Sequence, residues 1–307
     1  MASAVVIHPE VADAIAEQRP VVALETTIFS TLGLPAPANA NALLRCMAAV
    51  RREGAIPALT CVLDGSPRVG VDPAMHARIL SATRKCAERD LPVAAAQRWP
   101  DGATTVSASL ALAAVAGVRV FATGGIGGVH RDDHITGDVS SDLRAIARHP
   151  VLTVTAGAKA FLDLAKTLEL LDTLGVPVLG MRTDYFPAFY VRSSGLAVPH
   201  RIETEAEAAA VLFARDSLGL RGGVLVANPI PPADELSDID IDVALRSALT
   251  DATTAGIRGG ALTPFVLARI GAATGGRSVP ANLALAEHNA SVGARIAVAF
   301  CALASAE

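Results

Sequence analysis

The segment Val151 to Asp163, VLTVTAGAKAFLD, decides how the rest of the chain is read. Its first half is a run of β-branched and apolar residues, which favours a strand buried on both faces. Ala156, Gly157 and Ala158 then let the backbone turn closely. They deliver Lys159, from which the spacing predicts a helix to about Leu174. A fully apolar strand feeding a helix is the pattern of a parallel sheet covered by helices.

The same alternation recurs outward from this segment. Upstream, VVALE at Val21 to Glu25 follows a helix over Glu10 to Gln18, and IPALTCVLDG follows a helix from about Asn39 to Arg52. A helix is expected near Pro73 to Ala82, and another over Thr104 to Ala116, capped by Thr104 or Thr105. VRVFAT then runs into GGIGGVHRDDHITGDVSSD, ahead of a helix from Leu143 to Arg148. Downstream come the strand VPVLG, a capping box at Thr204 and Glu207 before the helix EAAAVLFARDSL, and the strand GGVLVANPI. The remainder is helical, with breaks at Gly259-Gly260, Pro264 and Gly275-Gly276. The fold class is therefore α/β, and without a Ser/Gly linker or a repeat, residues 1–307 are expected to form a single domain. Ligands of such sheets collect beyond the carboxyl ends of the strands, which puts Glu25, the glycines after Thr123 and Lys159 on one rim.

Composition narrows the function classes. With 51% hydrophobic and 18% charged residues in 307, the chain is globular, and with 4% aromatics its core must be built from Ala, Val, Leu and Ile. A net charge of -4 gives no footprint for nucleic acid. No apolar run approaches the ~18 residues of a membrane span, and the amino-terminal stretch lacks the pattern of a signal peptide. Cys46, Cys61, Cys86 and Cys301 form no CxxC and no zinc spacing, so they are read as buried, reduced thiols of a cytoplasmic protein.

Lysine is used sparingly. Of 26 basic residues only Lys85, Lys159 and Lys166 are lysines. An amine can lose its proton and attack, whereas a guanidinium cannot. Lys159 in its apolar setting suits that use, although a lysine snorkelling from a helix start would look the same. Lys166, flanked by Asp163 and Glu169, reads as a helix-surface pair partner. Lys85 sits in a charge cluster with Arg84, Glu88, Arg89 and Asp90.

Two readings of the segment after the glycines stay open. Asp138 and Asp142 are spaced to hold a hard divalent ion with its waters, and Ser140 to donate to a phosphate. Alternatively Ser140 or Ser141 caps the helix and Asp142 complements its dipole. Asp238, Asp240 and Asp242 imitate a calcium loop but lack its glycine, Val243 standing in its place. The sequon at Asn289 is fortuitous in a cytoplasmic chain, and Tyr185, Phe186, Phe189 and Tyr190 are read as a packed loop or subunit contact.

The runs VALETTI, ATTVSASLALAA, VRVFATGGIGGVH, AGAKAFLDLAKTLELL, TDYFPAFY, GGVLVANPIP and TGGRSVPANLAL resemble the pseudouridine-5'-phosphate glycosidase, or indigoidine synthase A-like, family over nearly the whole chain. The resemblance implies a three-layer α/β/α sandwich with a mostly parallel central sheet, assembled as a homotrimer. It implies reversible cleavage of pseudouridine 5'-phosphate to uracil and ribose 5-phosphate with a divalent metal, Mn2+. By residue, it implies Lys159 as nucleophile and Glu25 as proton donor. It also implies Asp138 as metal ligand, Lys85, Val106, Ser140 and Asp142 as substrate contacts, and His130 and Asn282 as further polar site residues. The turn after Glu25 reads FSTLGLP where the family usually has a histidine before the glycine. A Schiff-base aldolase, another metal-dependent sugar-phosphate enzyme and a catalytically silent sugar-phosphate sensor are the alternatives that the same residues would serve.

Overall fold

The computed structural model describes residues 5–257 and 262–305. Eleven strands form one sheet. They are β1 (Val6–Ile7), β2 (Val21–Leu24), β3 (Ile56–Leu63), β4 (Ser66–Val69), β5 (Lys85–Cys86), β6 (Asp101–Thr104), β7 (Val120–Ala122), β8 (Leu152–Thr155), β9 (Val178–Met181), β10 (His200–Ile202) and β11 (Val224–Ala227). The order is β1-β4-β3-β2-β7-β8-β11-β9-β10, with β6 also paired to β3 and β5 to β6. Among the described strands only β3 with β4 and β3 with β6 run antiparallel. The central strands β2, β3, β7, β8, β9 and β11 are buried along their whole length, as strands covered on both faces must be.

The helices are α1 (Pro9–Ala16), α2 (Ala38–Arg52), α3 (His76–Leu80), α4 (Leu91–Ala96), α5 (Val106–Ala116), α6 (Asp133–Thr136), α7 (Ser141–Arg148), α8 (Leu164–Thr173), α9 (Glu205–Ser217), α10 (Asp238–Thr254), α11 (Leu262–Ala273) and α12 (Ser278–Ala304). Helices α2, α9 and α12 pack together on one face of the sheet, and α5, α7 and α8 cover the other, giving the three-layer α/β/α sandwich. With so few aromatics, close approach replaces bulk. Gly293 of α12 lies over β2 and β7, where an added Cβ would stand 3.3 Å from the Ala122 Cβ. Among the described residues no helix is long and apolar enough to cross a membrane.

Several local expectations are corrected. Helix α8 begins at Leu164, because the Asp163 carboxylate caps it by accepting from the Lys166 N–H at 3.0 Å. Lys159 therefore lies in a turn, its N–H donating to the Ile126 carbonyl at 3.1 Å. Thr104 closes β6 and Thr105 occupies the N-cap of α5, without a side-chain cap bond. Lys166 pairs with Asp133 of α6, across the loop, instead of with a helix neighbour. Thr204 accepts from the Glu207 N–H, but the Glu207 carboxylate accepts from the Glu203 N–H at 3.0 Å, one residue ahead of the cap. Cys301 is only half-buried, while Cys46, Cys61 and Cys86 are buried free thiols. Asp240 and Asp242 sit at the start of α10 and pair with Arg277 and Arg246. The expected break at Gly259-Gly260 lies outside the described residues, and Pro264 falls in the first turn of α11, where its missing N–H breaks no helical bond.

Candidate active site

The strand register makes the rim level. Leu24 pairs with Ala122, Ala122 with Val154, and Thr155 with Ala227, so β2, β7, β8 and β11 end together. The chain leaves β2 towards β3 on one side, whereas β7 leads to β8 on the other, so the order reverses between β2 and β7. A crevice opens at such a switch point. Here it is a cleft of about 1130 Å³ lined by Glu25, Lys85, Val106, His130, Asp138, Ser140, Asp142 and Lys159 among others.

Glu25 stands at the end of β2, 8% exposed, and accepts a hydrogen bond from the Thr123 hydroxyl at the end of β7. Burial raises its carboxyl from the ordinary 4.5 to about 7, against the pull of the Lys159 charge and the Thr123 hydrogen bond, with Asp142 adding to the rise. A carboxyl there gives or takes a proton near neutrality. Lys159 is carried on a turn held beside the glycine loop by pairing of Ile126 with Ala158. Lys85, in contact with solvent on one side, has its ammonium held below the usual lysine range. Desolvation is the main cause and the Lys159 charge the second, with Asp142 and Glu25 opposing.

The glycine loop and the turn before Lys159 both need their glycines. A Cβ on Gly157, at φ +88°, would lie 2.1 Å from the Pro187 carbonyl oxygen, and one on Gly127 would lie 2.2 Å from the Ser140 Oγ. Gly127 donates its N–H to Asp142 Oδ2 at 2.9 Å, and the N–H of Ser107 in α5 donates to Oδ1 at 3.0 Å. Asp142 thus ties the glycine loop to the N-terminus of α5. Ser140 is the N-cap of α7, accepting from the Asp142 N–H at 3.2 Å. The capping reading therefore holds for Ser140, and the dipole reading of Asp142 gains two backbone bonds. Val106, the first residue of α5, is buried and presents a helix N-terminus to the cleft, close to Lys85 and the start of α7.

His130 and Asp138 face each other across the loop, Nε2 to Oδ2 at 3.8 Å, with the His130 N–H donating to the Asp138 carbonyl at 3.1 Å. Among the described residues no three His, Cys, Asp or Glu side chains converge on a metal position. With both oxygens of Asp142 engaged, the donor set fits only a hydrated hard cation anchored on the Asp138 carboxylate, completed by water or phosphate oxygens. Asn282, on α12, does not line the cleft. It is buried behind Gly124 with its Oδ1 unpartnered, 3.5 Å from where a Gly124 Cβ would stand.

Sequence reasoning missed the support of Glu25. Thr26 donates to the Thr60 carbonyl at 2.8 Å and Thr27 to that of Thr104 at 2.7 Å, fixing the chain just past β2. Asn289 of α12 donates to the Thr123 carbonyl at 2.7 Å and accepts from the Asn228 amide at 2.9 Å. Asn289 is fully buried, so its sequon is inaccessible. Only the TT pair after Glu25 offered a signal, and a pair of threonines has many other uses.

An acid near neutrality and an amine that share a cleft at the switch point of a parallel sheet place the protein among α/β enzymes acting on small molecules. Residues 10–299 match the family model described as indigoidine synthase A like protein. A pseudouridine-5'-phosphate glycosidase of Caldanaerobacter subterraneus subsp. tengcongensis is 48% identical over 295 residues, 95% of each chain. One of Rhodospirillum centenum is 53% identical over 298 residues, 97% of this chain and 92% of that one. Among solved structures, the prealnumycin C-glycosynthase AlnA in complex with ribulose 5-phosphate superposes with a TM-score of 0.90 at 34% identity, covering 98% of both chains. An indigoidine synthase A-like protein of Thermotoga maritima gives 0.86 at 32% identity and the same coverage. The chain belongs to the indigoidine synthase A-like, pseudouridine-5'-phosphate glycosidase family.

Proposed function

We propose that this protein reversibly cleaves the C–C glycosidic bond of pseudouridine 5'-phosphate to uracil and ribose 5-phosphate. The observation that carries the reading is Glu25, buried and poised near neutrality, lining one cleft with Lys159. The leaving atom is carbon, so the usual glycosidase device of protonating a leaving oxygen has nothing to act on. Glu25 instead gives its proton to the ring oxygen while the neutral Lys159 amine bonds to the anomeric carbon, breaking the C–O bond and opening the sugar. After the nitrogen loses a proton, its lone pair forms an imine. The electrons of the C–C bond pass to uracil, which is protonated at C5. Water hydrolyses the imine, freeing Lys159 and ribose 5-phosphate.

Lys85 and the N-termini of α5 and α7, at Val106 and Ser140, suit the phosphate, since helix N-termini and a cation both favour an anion. Asp142 supports that corner by holding α5 and the glycine loop together. His130, which lines the cleft beside Asp138, is a further polar site residue, and Asn282 acts on the site only from behind the glycine loop. A manganese ion held by Asp138 and waters would add positive charge beside the phosphate. The whole chain is read as one domain of a cytoplasmic homotrimer, for which sedimentation is the direct test.

The decisive experiment is borohydride trapping in the presence of ribose 5-phosphate, followed by peptide mapping. Label is expected on Lys159 and absent from Lys159→Ala; label elsewhere, or none under turnover conditions, sinks the covalent route. Chromatographic release of uracil from pseudouridine 5'-phosphate separates this reading from a Schiff-base aldolase, which would release none.

A further inference from the structure

We propose that Thr123 is a positioning residue for Glu25, a clamp on the far side of the carboxylate from substrate that aims its free oxygen into the cleft. The proposal rests on Glu25 being the proton donor, and it begins with where neighbouring hydroxyls go. Thr26, Thr27 and Thr155 each satisfy a backbone carbonyl, at 2.8, 2.7 and 2.7 Å. Thr123, 4% exposed, instead spends its hydroxyl on Glu25 Oε1. That bond crosses from β7 to β2 at the switch point.

Thr123 does not line the cleft. It meets Glu25 around a separate void of about 10 Å³, walled otherwise by apolar groups and Cys46. That space is at the lower limit for one water, so the hydroxyl is the polar partner the fold provides behind the carboxylate. Its own position is fixed from the opposite layer. Asn289 of α12 grips the Thr123 and Gly124 carbonyls at 2.7 and 3.3 Å, and Asn228 at the end of β11 holds Asn289.

A donor on one oxygen favours the ionised carboxylate and leaves the other oxygen to carry the transferable proton. The charged groups bearing on Glu25 are Lys159 after β8, Lys85 of β5 and Asp142 of α7, and none of them replaces this bond. Thr123→Val keeps the shape and removes the donor. In the folded enzyme, verified by circular dichroism, it is expected to lower kcat about tenfold with KM little changed, and to move the alkaline limb of the rate profile up by about one pH unit. Thr123→Ser is expected to restore both.

The Glu25 carboxyl signal, assigned in 13C spectra by its loss in Glu25→Gln, should titrate higher in Thr123→Val by the same amount, independently of any activity. Unchanged titration and limb in folded Thr123→Val, or a Ser variant that behaves as Val does, overturns the proposal. Full turnover by Glu25→Gln would instead overturn the proton-donor reading, and the carboxyl titration would still decide whether Thr123 governs Glu25.

Discussion

Glu25 shows how one side chain trades stability for chemistry. Its carboxyl rises from 4.5 to about 7 on burial, so between those values the folded state binds a proton that the unfolded state has lost. Stability contributed below pH 4.5 is therefore lost as the pH climbs through 7. Glu25→Gln cannot ionise and escapes this loss, which amounts to about 3 kcal/mol above pH 7. The variant should be inactive at every pH, match the wild type in thermal midpoint near pH 4.5, and exceed it near pH 8. Equal midpoints at pH 8 would show that Glu25 is not buried as described. The position of Glu25 at a strand's end was legible in VVALE. Its acidity was not, since desolvation comes from residues distant in sequence.

At the scale of the element, the glycine loop is held by its neighbours more than by its own sequence. GGIGG announces a close backbone approach, but what approaches is decided by α7 and by the turn that carries Lys159. Gly127→Ala places a methyl 2.2 Å from Ser140 Oγ and 2.9 Å from Asp142 Oδ2, so the cap of α7 and the bond from Asp142 cannot both persist. We expect KM for the phosphorylated substrate to rise at least tenfold, with about 1–3 kcal/mol of stability lost; steady-state kinetics and thermal melting test the two parts separately. Lys159 was legible as an outlier among basic residues, yet its expected helix start proved to be a turn. Asp163 is the stronger cap, and the helix waits for it. The hairpin of β3 and β4 was also missed. Asp64-Gly65, with φ of +54° and +74°, makes the turn that lets it form, and SPRV is too short and proline-broken to read as a strand.

For the whole molecule, the packing of α12 across β2 and β7 joins the core to the site. The same helix carries Asn282 behind the glycine loop and Asn289 against Thr123, so its height above the sheet sets both. Gly293 lies against the sheet, with Ala122, Val22 and Val120 side chains 3.3 to 3.7 Å from an added Cβ. Gly293→Ala should be nearly neutral. Gly293→Leu should lift the helix, costing about 1–3 kcal/mol and reducing kcat along with the melting temperature. A leucine variant that melts lower but turns over normally would show that α12 does not position the site.

The sequence by itself determined the α/β class, the rim on which Glu25, the glycines and Lys159 meet, and the family. Strand periodicity, the carboxyl-end rule and motif identity are properties of the chain read along its length. Only the tertiary structure decided that Asp142 spends both oxygens on backbone, that Asn282 lies behind the loop, and that Thr123 stands at the back of Glu25. The hydrogen bonds among those contacts join residues up to 98 positions apart. They follow from strand order and layer packing, which no local pattern of side chains encodes.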